Sequence, residues 1–157
     1  MVERSLVLLK PDAVERGLVG RILTRFEEKG LKLVGLKMRI FPEKLLREHY
    51  AVHEQRSFFE GLVRFMSNGP VVALALEGRN AIHVVRALLG KTDGAESPPG
   101  TIRGDFGLSR SHNLVHGSDS AAAAATELGL WFSSAGELFA WTPSSEAWVY
   151  DVEEELR

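Results

Sequence analysis

The chain contains no cysteine, so disulfide bonds and thiol chemistry are excluded for all 157 residues. Asn and Gln together number only 4, a scarcity that fits a heat-tolerant protein and a GC-rich coding sequence equally well. No apolar run is long enough to span a membrane, and Met1–Arg4 lacks the pattern of a signal peptide. These absences predict a cytoplasmic protein without a membrane partner.

The composition is that of an ordinary globular protein, with 45% hydrophobic and 25% charged residues. The net charge of -2 argues against a general nucleic-acid binder, which would usually be strongly basic, so no specific nucleic-acid partner is expected. The length predicts one domain over residues 1–157, large enough to bury a hydrophobic core.

The spacing of apolar residues predicts strands that alternate with helices. The predicted strands cover residues 5–9, 34–40, 71–76 and 114–116. The predicted helices cover residues 18–29, 42–50, 58–67, 81–89 and 120–128. In the second strand, the alternation predicts a half-buried strand with its apolar residues turned inward: Val34, Leu36, Met38 and Ile40.

Two βαβ halves separated by a helical pair predict an α/β domain, an α+β sandwich with a ferredoxin-like split βαβ sheet and helices on one of its faces. Residues 91–112 show little periodicity and predict a long connection, a type of loop that is more often functional than not. The acidic tail after Asp151 predicts a solvated end.

Three motifs that could suggest other functions do not hold. Gly90-Lys91-Thr92 looks like the end of a P-loop, but Val85 stands where that motif needs glycine, and no G-x-G-x-x-G follows a strand. His49 and His53 lie four residues apart on a predicted helix without the H-E-x-x-H pattern. A helix surface or interface is therefore expected there rather than a metal site.

The segment Asn113–Asp119 is the most informative in the chain. His116 follows a short apolar run and precedes the turn-forming Gly117-Ser118-Asp119, so it is expected at a strand-to-helix turn, rigidly backed and open to solvent. A neutral imidazole is nucleophilic without an extra base and can carry a covalent group. Taken alone, the same pattern also fits a surface histidine in a turn.

From Ser5 to Tyr150 the chain closely resembles the nucleoside diphosphate kinases. The motifs that carry the resemblance are, in order, Lys10-Pro11-Asp12, Arg16–Gly20, His49-Tyr50, Phe58–Leu62, Ser67–Val72, Pro99–Asp105, Asn113–Asp119 and Glu127–Phe132. The resemblance implies a four-stranded antiparallel sheet with helices packed on it. It also implies transfer of the terminal phosphate of a nucleoside triphosphate to a nucleoside diphosphate, through a phosphohistidine at His116.

The resemblance further implies roles for the residues around His116. Glu127 is expected to hold the imidazole ring, with Tyr50 and Ser118 beside it and Lys10 as a further catalytic residue. The implied nucleotide-binding set is Lys10, Phe58, Leu62, Arg86, Thr92, Arg103 and Asn113. Arginine suits phosphate oxygens, and an aromatic platform can stack any base. The Phe58-Phe59 tandem predicts that one ring points inward and the other outward.

Mg²⁺ is the expected cofactor, held mainly by nucleotide phosphates and water rather than by a metal site of protein ligands. Asp12 and Asp119 either touch the metal's water shell or serve as turn and capping residues. Relatives form hexamers, or tetramers in some bacteria, and their long loop joins subunits around a three-fold axis. A homo-oligomer is therefore expected, with a hexamer favoured and a tetramer as the alternative.

The chain departs from the family pattern at Ser57, Gly94 and residues 107–112, and none of these changes removes a catalytic group. Two other functions remain open at this point. One is a non-catalytic nucleotide-binding or regulatory protein of the same fold, and the other is a single-strand nucleic-acid binder that uses Phe58 and the arginines. Neither needs a histidine at position 116 with a glutamate behind it.

Overall fold

The computed structural model describes residues 1–155; Leu156 and Arg157, the end of the predicted solvated tail, lie outside the described residues. The strands are β1 (Val2–Leu9), β2 (Lys32–Arg39), β3 (Val71–Arg79) and β4 (Val115–Gly117). They form a four-stranded antiparallel sheet in the order β2-β3-β1-β4. The predicted fold class is confirmed, because this sheet with its connecting helices is the split βαβ arrangement.

The helices, in chain order, are α1 (Pro11–Glu15), α2 (Val19–Glu28), α3 (Glu43–His49), α4 (Phe59–Ser67), α5 (Ala81–Leu89), α6 (Ile102–Phe106), α7 (Ala121–Trp131), α8 (Glu146–Val149) and α9 (Val152–Glu155). The five predicted helices are confirmed, with boundaries that differ by a few residues. The sequence pattern misses α1, α6, α8 and α9 because four or five residues are too few to show an amphipathic period. Among residues 1–155, no helix has both the length and the apolar character needed to cross a membrane.

Helices cover both faces of the sheet, so the prediction of helices on one face is wrong. On one face, α2 and α5 bury Ile22, Phe26, Val85 and Leu89 against alternate residues of β1 and β3. On the other face, α3, α4 and α7 bury a second cluster that includes Leu46, Met66 and Trp131. β3 is apolar at every position from Val71 to Leu76 because it is covered on both sides.

The prediction for β2 is wrong in its burial, although the strand itself is confirmed. Val34 is buried, but Leu36, Met38 and Ile40 are 53%, 61% and 68% exposed. A β-bulge between Leu33 and Gly35 inserts one residue, which turns the side chains after it to the opposite face of the sheet. The apolar residues therefore line an exposed stretch of the sheet's edge strand.

The segment after α7 runs along β2 and uses carbonyl groups at the bulge. The Phe139 amide donates to the carbonyl of Val34 at 2.7 Å, and Trp141 Nε1 donates to the carbonyl of Leu33 at 2.9 Å. Farther along, Glu155 forms an ion pair with Arg79 of β3. Glu155 is thus tied to the sheet, whereas Asp151, Glu153 and Glu154 are exposed, in agreement with the solvated end predicted after Asp151.

The pairing of β1 with β4 brings the distant motifs of the sequence together. Leu8 lies opposite His116, and the amide of Lys10 donates to the carbonyl of Leu114 at 2.8 Å. Leu8 faces the cluster formed with α3, α4 and α7, and residues directly opposite each other share a face. His116 therefore points toward those three helices.

Leu114, which precedes β4, has a left-handed backbone conformation with φ of 73°. This conformation is unfavourable for a bulky residue and persists only where its surroundings enforce it. Its amide donates to Asp12 Oδ2 at 3.0 Å, and its side chain is fully buried. Asp12 thus caps the turn that leads to His116, which is the turn or capping role expected from the sequence.

We expect Asp12→Ala to lower the free energy of unfolding by about 1–3 kcal/mol, because the buried Leu114 amide would lose its acceptor. Chemical denaturation followed by tryptophan fluorescence measures the change. Asp12→Asn is the matched control, since its amide oxygen can still accept and should preserve most of the stability. Equal stability of the alanine variant and the native protein would show that Asp12 does not hold this turn.

Candidate active site

His116 lies where one strand and two helices meet. It occupies the middle of β4, while His49 and Tyr50 come from the end of α3 and Glu127 comes from α7. The ring centroids of His49 and His116 are 4.7 Å apart, and those of Tyr50 and His116 are 6.5 Å apart. The His116 side chain is 25% exposed, so it is less open to solvent than the sequence predicts.

Glu127 holds one nitrogen of the His116 ring. Its Oε2 lies 2.5 Å from His116 Nε2. An ionised carboxylate only accepts hydrogen bonds, so the neutral ring carries its proton on Nε2 and donates it. The lone pair then lies on Nδ1, which makes no hydrogen bond to any of residues 1–155. The arrangement leaves one nitrogen as a nucleophile and fixes the direction in which it points.

The surroundings of His116 keep its ring neutral. Burial, together with the positive charges of Lys10, Arg103 and Arg86, lowers the pKa of His116 to about 3. Burial also raises the pKa of Glu127, against the opposing effects of His49 and the Ser118 hydroxyl. At neutral pH the imidazole is uncharged and its Nδ1 lone pair is available.

Lys10 and Asn113 form a buried pair next to this ring. Lys10 Nζ donates to Asn113 Oδ1 at 2.8 Å, while Asn113 Nδ2 donates to the carbonyls of Thr92 and Arg110 at 3.1 and 2.9 Å. Burial lowers the pKa of Lys10 to about 8, and the nearby charge of Arg103 acts in the same direction. An ammonium group has three donors, so Lys10 keeps two for another acceptor.

Arg103 of α6 links two other parts of the chain, the end of α5 and the segment that leads into β4. Its guanidinium donates to the carbonyls of Asn113 at 3.1 Å, Gly90 at 3.1 Å and Val115 at 2.7 Å. Burial lowers the pKa of Arg103 to about 10, and the charge of Arg86 contributes, yet the group stays charged at pH 7. Arg103 therefore anchors the long connection to β4 in addition to placing a positive charge beside the site.

Arg86 and Thr92 lie at the exposed rim of the same region. Arg86 is on the exposed side of α5, and within residues 1–155 no carboxylate forms an ion pair with it. Thr92 is exposed at the start of the connection, where its carbonyl accepts from Asn113. Both side chains are accessible, and the Arg86 charge reaches His116 and Arg103 strongly enough to influence both groups.

An apolar platform lies on the α4 side of the site. Phe58 is 52% exposed whereas Phe59 is 5% exposed. One ring therefore points outward and the other inward, as the sequence predicts. Leu62 is half-buried on the next helical turn. Farther along α4, Phe65 packs against His112 with 4.9 Å between ring centroids. This contact places the end of the long connection over the same helix.

Tyr50 and Ser118 are both buried near Glu127. The Tyr50 hydroxyl is buried without a hydrogen-bond partner among the described residues, and burial raises the pKa of Tyr50 above its ordinary value. Ser118 continues the β1–β4 pairing, with its Oγ accepting from the Leu6 amide at 3.0 Å. Ser118 thus fastens the strand that carries His116, while Tyr50 offers an unused donor.

The prediction that His49 lies on a helix surface or interface is wrong. Its side chain is only 2% exposed, and Trp131 Nε1 donates to its Nδ1 at 3.0 Å. A signal for this burial was present in the sequence, because His49 and Tyr50 lie three and four residues after Leu46 on one helical face. The four-residue spacing between His49 and His53 instead resembles part of a metal-binding motif.

His49, His116 and Glu127 are the described side chains that could together hold a metal ion. Their ligand atoms all lie within 4.8 Å of one another. His49 Nδ1 and His116 Nε2, however, are both engaged in hydrogen bonds. Asp119 is an exposed carboxylate whose charge acts on His116 from the start of α7.

Comparisons with known proteins agree with this arrangement. The family model described as Nucleoside diphosphate kinase matches residues 3–136. A nucleoside diphosphate kinase of Synechococcus elongatus is 50% identical over 150 residues, which are 96% of this chain and 100% of that protein. One from Archaeoglobus fulgidus is 49% identical over 150 residues, 96% of this chain and 99% of its own.

Solved structures show the same similarity. The Halobacterium salinarum enzyme in complex with CDP has a TM-score of 0.92 and 49% identity, over 96% of this chain and 99% of its own. A family protein of Babesia bovis has a TM-score of 0.91 and 45% identity, over 94% of this chain and 99% of its own. Similarity of this extent in sequence and fold shows that the chain belongs to the nucleoside diphosphate kinase family.

Proposed function

We propose that His116 is the temporary carrier of phosphate in the reaction of this nucleoside diphosphate kinase, which moves the terminal phosphate of a nucleoside triphosphate to a nucleoside diphosphate. The observation that supports His116 most directly is the Glu127 bond to Nε2, which leaves the lone pair of Nδ1 available. Burial among cations keeps that ring neutral and therefore nucleophilic.

In the first half of the reaction, the Nδ1 lone pair forms a bond to the γ-phosphorus. The bond from that phosphorus to the β–γ bridging oxygen breaks, and the departing diphosphate keeps the electron pair. The ring becomes positively charged, and the Glu127 carboxylate at Nε2 stabilises this charge without taking the proton. In the second half, a different diphosphate attacks the phosphohistidine and restores the neutral ring.

The cations that surround His116 are suited to the phosphates of either nucleotide. Lys10 and Arg103 keep unused donors inside the site, while Arg86 and the Thr92 hydroxyl are accessible at its rim. Phosphoryl transfer depends mainly on positioning and charge neutralisation, which such a set supplies. The CDP complex of the Halobacterium salinarum relative supports nucleotides as the ligands of this site.

The exposed ring of Phe58, with Leu62 one helical turn away, is the proposed platform for the base. Stacking on an aromatic face makes little distinction between bases. Asn113 and Lys10 would reach the sugar hydroxyls, which requires part of their mutual hydrogen bond to be exchanged for bonds to the nucleotide. Tyr50, with its unused hydroxyl, and Ser118 support the ring of His116.

The family uses a divalent metal ion, and we propose Mg²⁺ for this chain. The region around His116 is lined by cationic side chains, which cannot bind a metal ion directly, so the nucleotide phosphates would supply most of its ligands. Asp119 is an exposed carboxylate beside this region. When bound, the ion would neutralise phosphate charge. Asp119 would hold its water molecules, whereas Asp12 accepts from the Leu114 amide through Oδ2 and its Oδ1 is buried away from solvent.

Incubation with radiolabelled ATP should give an acid-labile phosphoprotein that transfers its label to added nucleoside diphosphate. His116→Ala should abolish both steps and leave nucleotide affinity nearly intact, because the phosphate-binding cations remain. Mass mapping of the modified residue and equilibrium binding of a nucleotide measure the two effects.

His83→Ala is the control for that experiment, because His83 is exposed on α5 and lies outside the proposed machinery. It should be labelled like the native protein. Transfer to the acceptor without label on His116 would overturn the proposed role. Binding without any labelling would favour the non-catalytic alternative.

The kcat/KM for nucleotide should fall as the pH rises through about 8, because the buried Lys10 loses its proton there. Its pKa is lowered, so the charged form needed for phosphate binding is complete only below that value. The pH dependence of kcat/KM reports groups of the free enzyme. Lys10→Arg, which stays charged, should flatten the decline, and an unchanged decline in that variant would assign it to another group.

We further propose that the chain assembles into a homo-oligomer, with a hexamer favoured over a tetramer. Leu36 and Met38 of β2, with Ile40 directly after the strand, form an exposed apolar row at the edge of the sheet. An apolar edge strand is a ready surface for pairing, and two copies paired antiparallel are related by a two-fold axis. Both assemblies contain such an axis, and the hexamer would add contacts of residues 91–112 around a three-fold axis.

Met38→Asp should shift the protein to smaller species in sedimentation velocity, because a carboxylate would have to be buried in the paired edge. Val52→Asp is the control, since Val52 is 85% exposed but lies outside the sheet. A native protein that sediments as a monomer would overturn the oligomer, and a tetramer would overturn the preference for a hexamer.

We also propose that residues 1–157 form a single catalytic domain that acts in the cytoplasm. Both apolar clusters of residues 1–155 pack on one sheet, which supports a single cooperative unit. The absence of cysteine is compatible with a reducing compartment.

A further inference from the structure

His49 is a buried titratable group that the mechanism above does not use. Its ring meets that of His116 edge to face, with 4.7 Å between centroids and an interplanar angle of 83°. It also contacts Tyr50 and Trp131 in the same manner, at 4.5 and 5.4 Å. His49 therefore forms part of the wall against which the reactive imidazole rests.

Trp131 determines which nitrogen of His49 carries the proton. The Trp131 indole donates to His49 Nδ1 at 3.0 Å. An indole N–H can only donate, so His49 Nδ1 must be the acceptor. The proton of the neutral His49 ring is then on Nε2.

The nitrogen held by Trp131 is the one that faces Glu127. Glu127 Oε2 lies 2.5 Å from His116 Nε2 and 3.8 Å from His49 Nδ1. One carboxylate oxygen is thus placed between two imidazoles. If His49 carried a proton on Nδ1, it would become a second donor to that oxygen and would compete with His116 for it.

We propose that His49 is a positioning residue, and that its hydrogen bond from Trp131 reserves the Glu127 carboxylate for His116. The inference deepens the proposed function and rests on His116 being the phosphate carrier. Because His49 Nδ1 accepts the hydrogen bond from Trp131, His49 stays in the neutral tautomer with its proton on Nε2. Glu127 therefore receives a hydrogen bond from only one imidazole, that of His116. The positive charge that develops on the phosphorylated ring is then stabilised by a carboxylate that is not shared with His49.

One helix sets the positions of both partners. Glu127 and Trp131 are four residues apart on α7, so their side chains lie on the same face. Trp131 is fully buried, and Phe41 packs against it with 4.5 Å between centroids at 63°. The indole therefore cannot turn away from His49 without disturbing the core.

The charged and titratable groups around His49 favour its neutral form. Burial lowers the pKa of His49 to about 3, and His116, Lys10 and His53 act in the same direction. Glu127 alone opposes them. His49 should thus remain uncharged between pH 5 and 8 while Trp131 holds its Nδ1.

Trp131→Phe tests the proposal, because it keeps an aromatic ring but removes the N–H. His49 Nδ1 could then take a proton and donate to Glu127. This change of tautomer needs no net protonation, so we expect kcat to fall roughly tenfold across pH 5 to 8 and KM for nucleotide to stay unchanged. Stopped-flow measurement of phosphoenzyme formation across this pH range gives the profile.

Phe41→Leu is the matched control. It loosens the packing around the indole without touching the hydrogen bond, so it should lower the melting temperature and keep the native kcat. The same fall in kcat in Phe41→Leu, or a native kcat in Trp131→Phe, would overturn the proposal.

A direct measurement keeps the inference testable if Trp131→Phe does not fold. Nitrogen-15 NMR of histidine-labelled native protein should show His49 with Nε2 protonated and Nδ1 unprotonated from pH 5 to 8. A proton on Nδ1 would overturn the inference. This readout needs no turnover, so it is distinguishable from failure of the proposed function, which would appear as phosphate on a residue other than His116.

Discussion

The active site depends on the antiparallel pairing of β1 with β4. This pairing sets Leu8 opposite His116 and joins Lys10 to Leu114, so the reactive imidazole and the buried ammonium come from adjacent strands. It also decides which face of the sheet receives the imidazole, and therefore which helices surround it. A slip of one residue would turn every side chain of the short strand to the face covered by α2 and α5. Glu127 on α7 would then be out of reach, even though each local sequence motif would be intact.

The same positive charges serve two purposes in this site. Lys10, Arg86 and Arg103 are suited to nucleotide phosphates, and together with burial they keep the imidazole of His116 unprotonated. A cationic site thus selects both an anionic ligand and a neutral nucleophile. The Arg103 guanidinium is held by three backbone carbonyls, two from the segment that leads into β4 and one from Gly90 after α5. Those carbonyls offset the cost of burying the charge and fix its position before any ligand arrives.

Much of the fold could be predicted from the sequence because it follows from local patterns. The apolar run at 71–76 and the serine cap at Ser120 correspond to a buried strand and the start of α7. Properties that depend on contacts distant in sequence could not be predicted in this way. Glu127 has the pattern of an exposed helix carboxylate, and only the path of α7 across the sheet brings it to His116. The burial of His49 has a local signal in its spacing from Leu46, but its partner Trp131 lies 82 residues away and has none.

The bulge in β2 has a consequence for how the molecule could change over time. One inserted backbone position, near Val34, decides whether Leu36 and Met38 face solvent or the interior. Regular pairing through Val34, without the bulge, would set Leu36 opposite Ala73 and turn both apolar side chains toward the face covered by α3, α4 and α7. Deletion of Val34 would not do so, because the remaining residues would keep Leu36 opposite Leu74. The exposed apolar row is therefore encoded in the register that β2 adopts after the bulge, and a gene that lost the codon for Val34 would still express it.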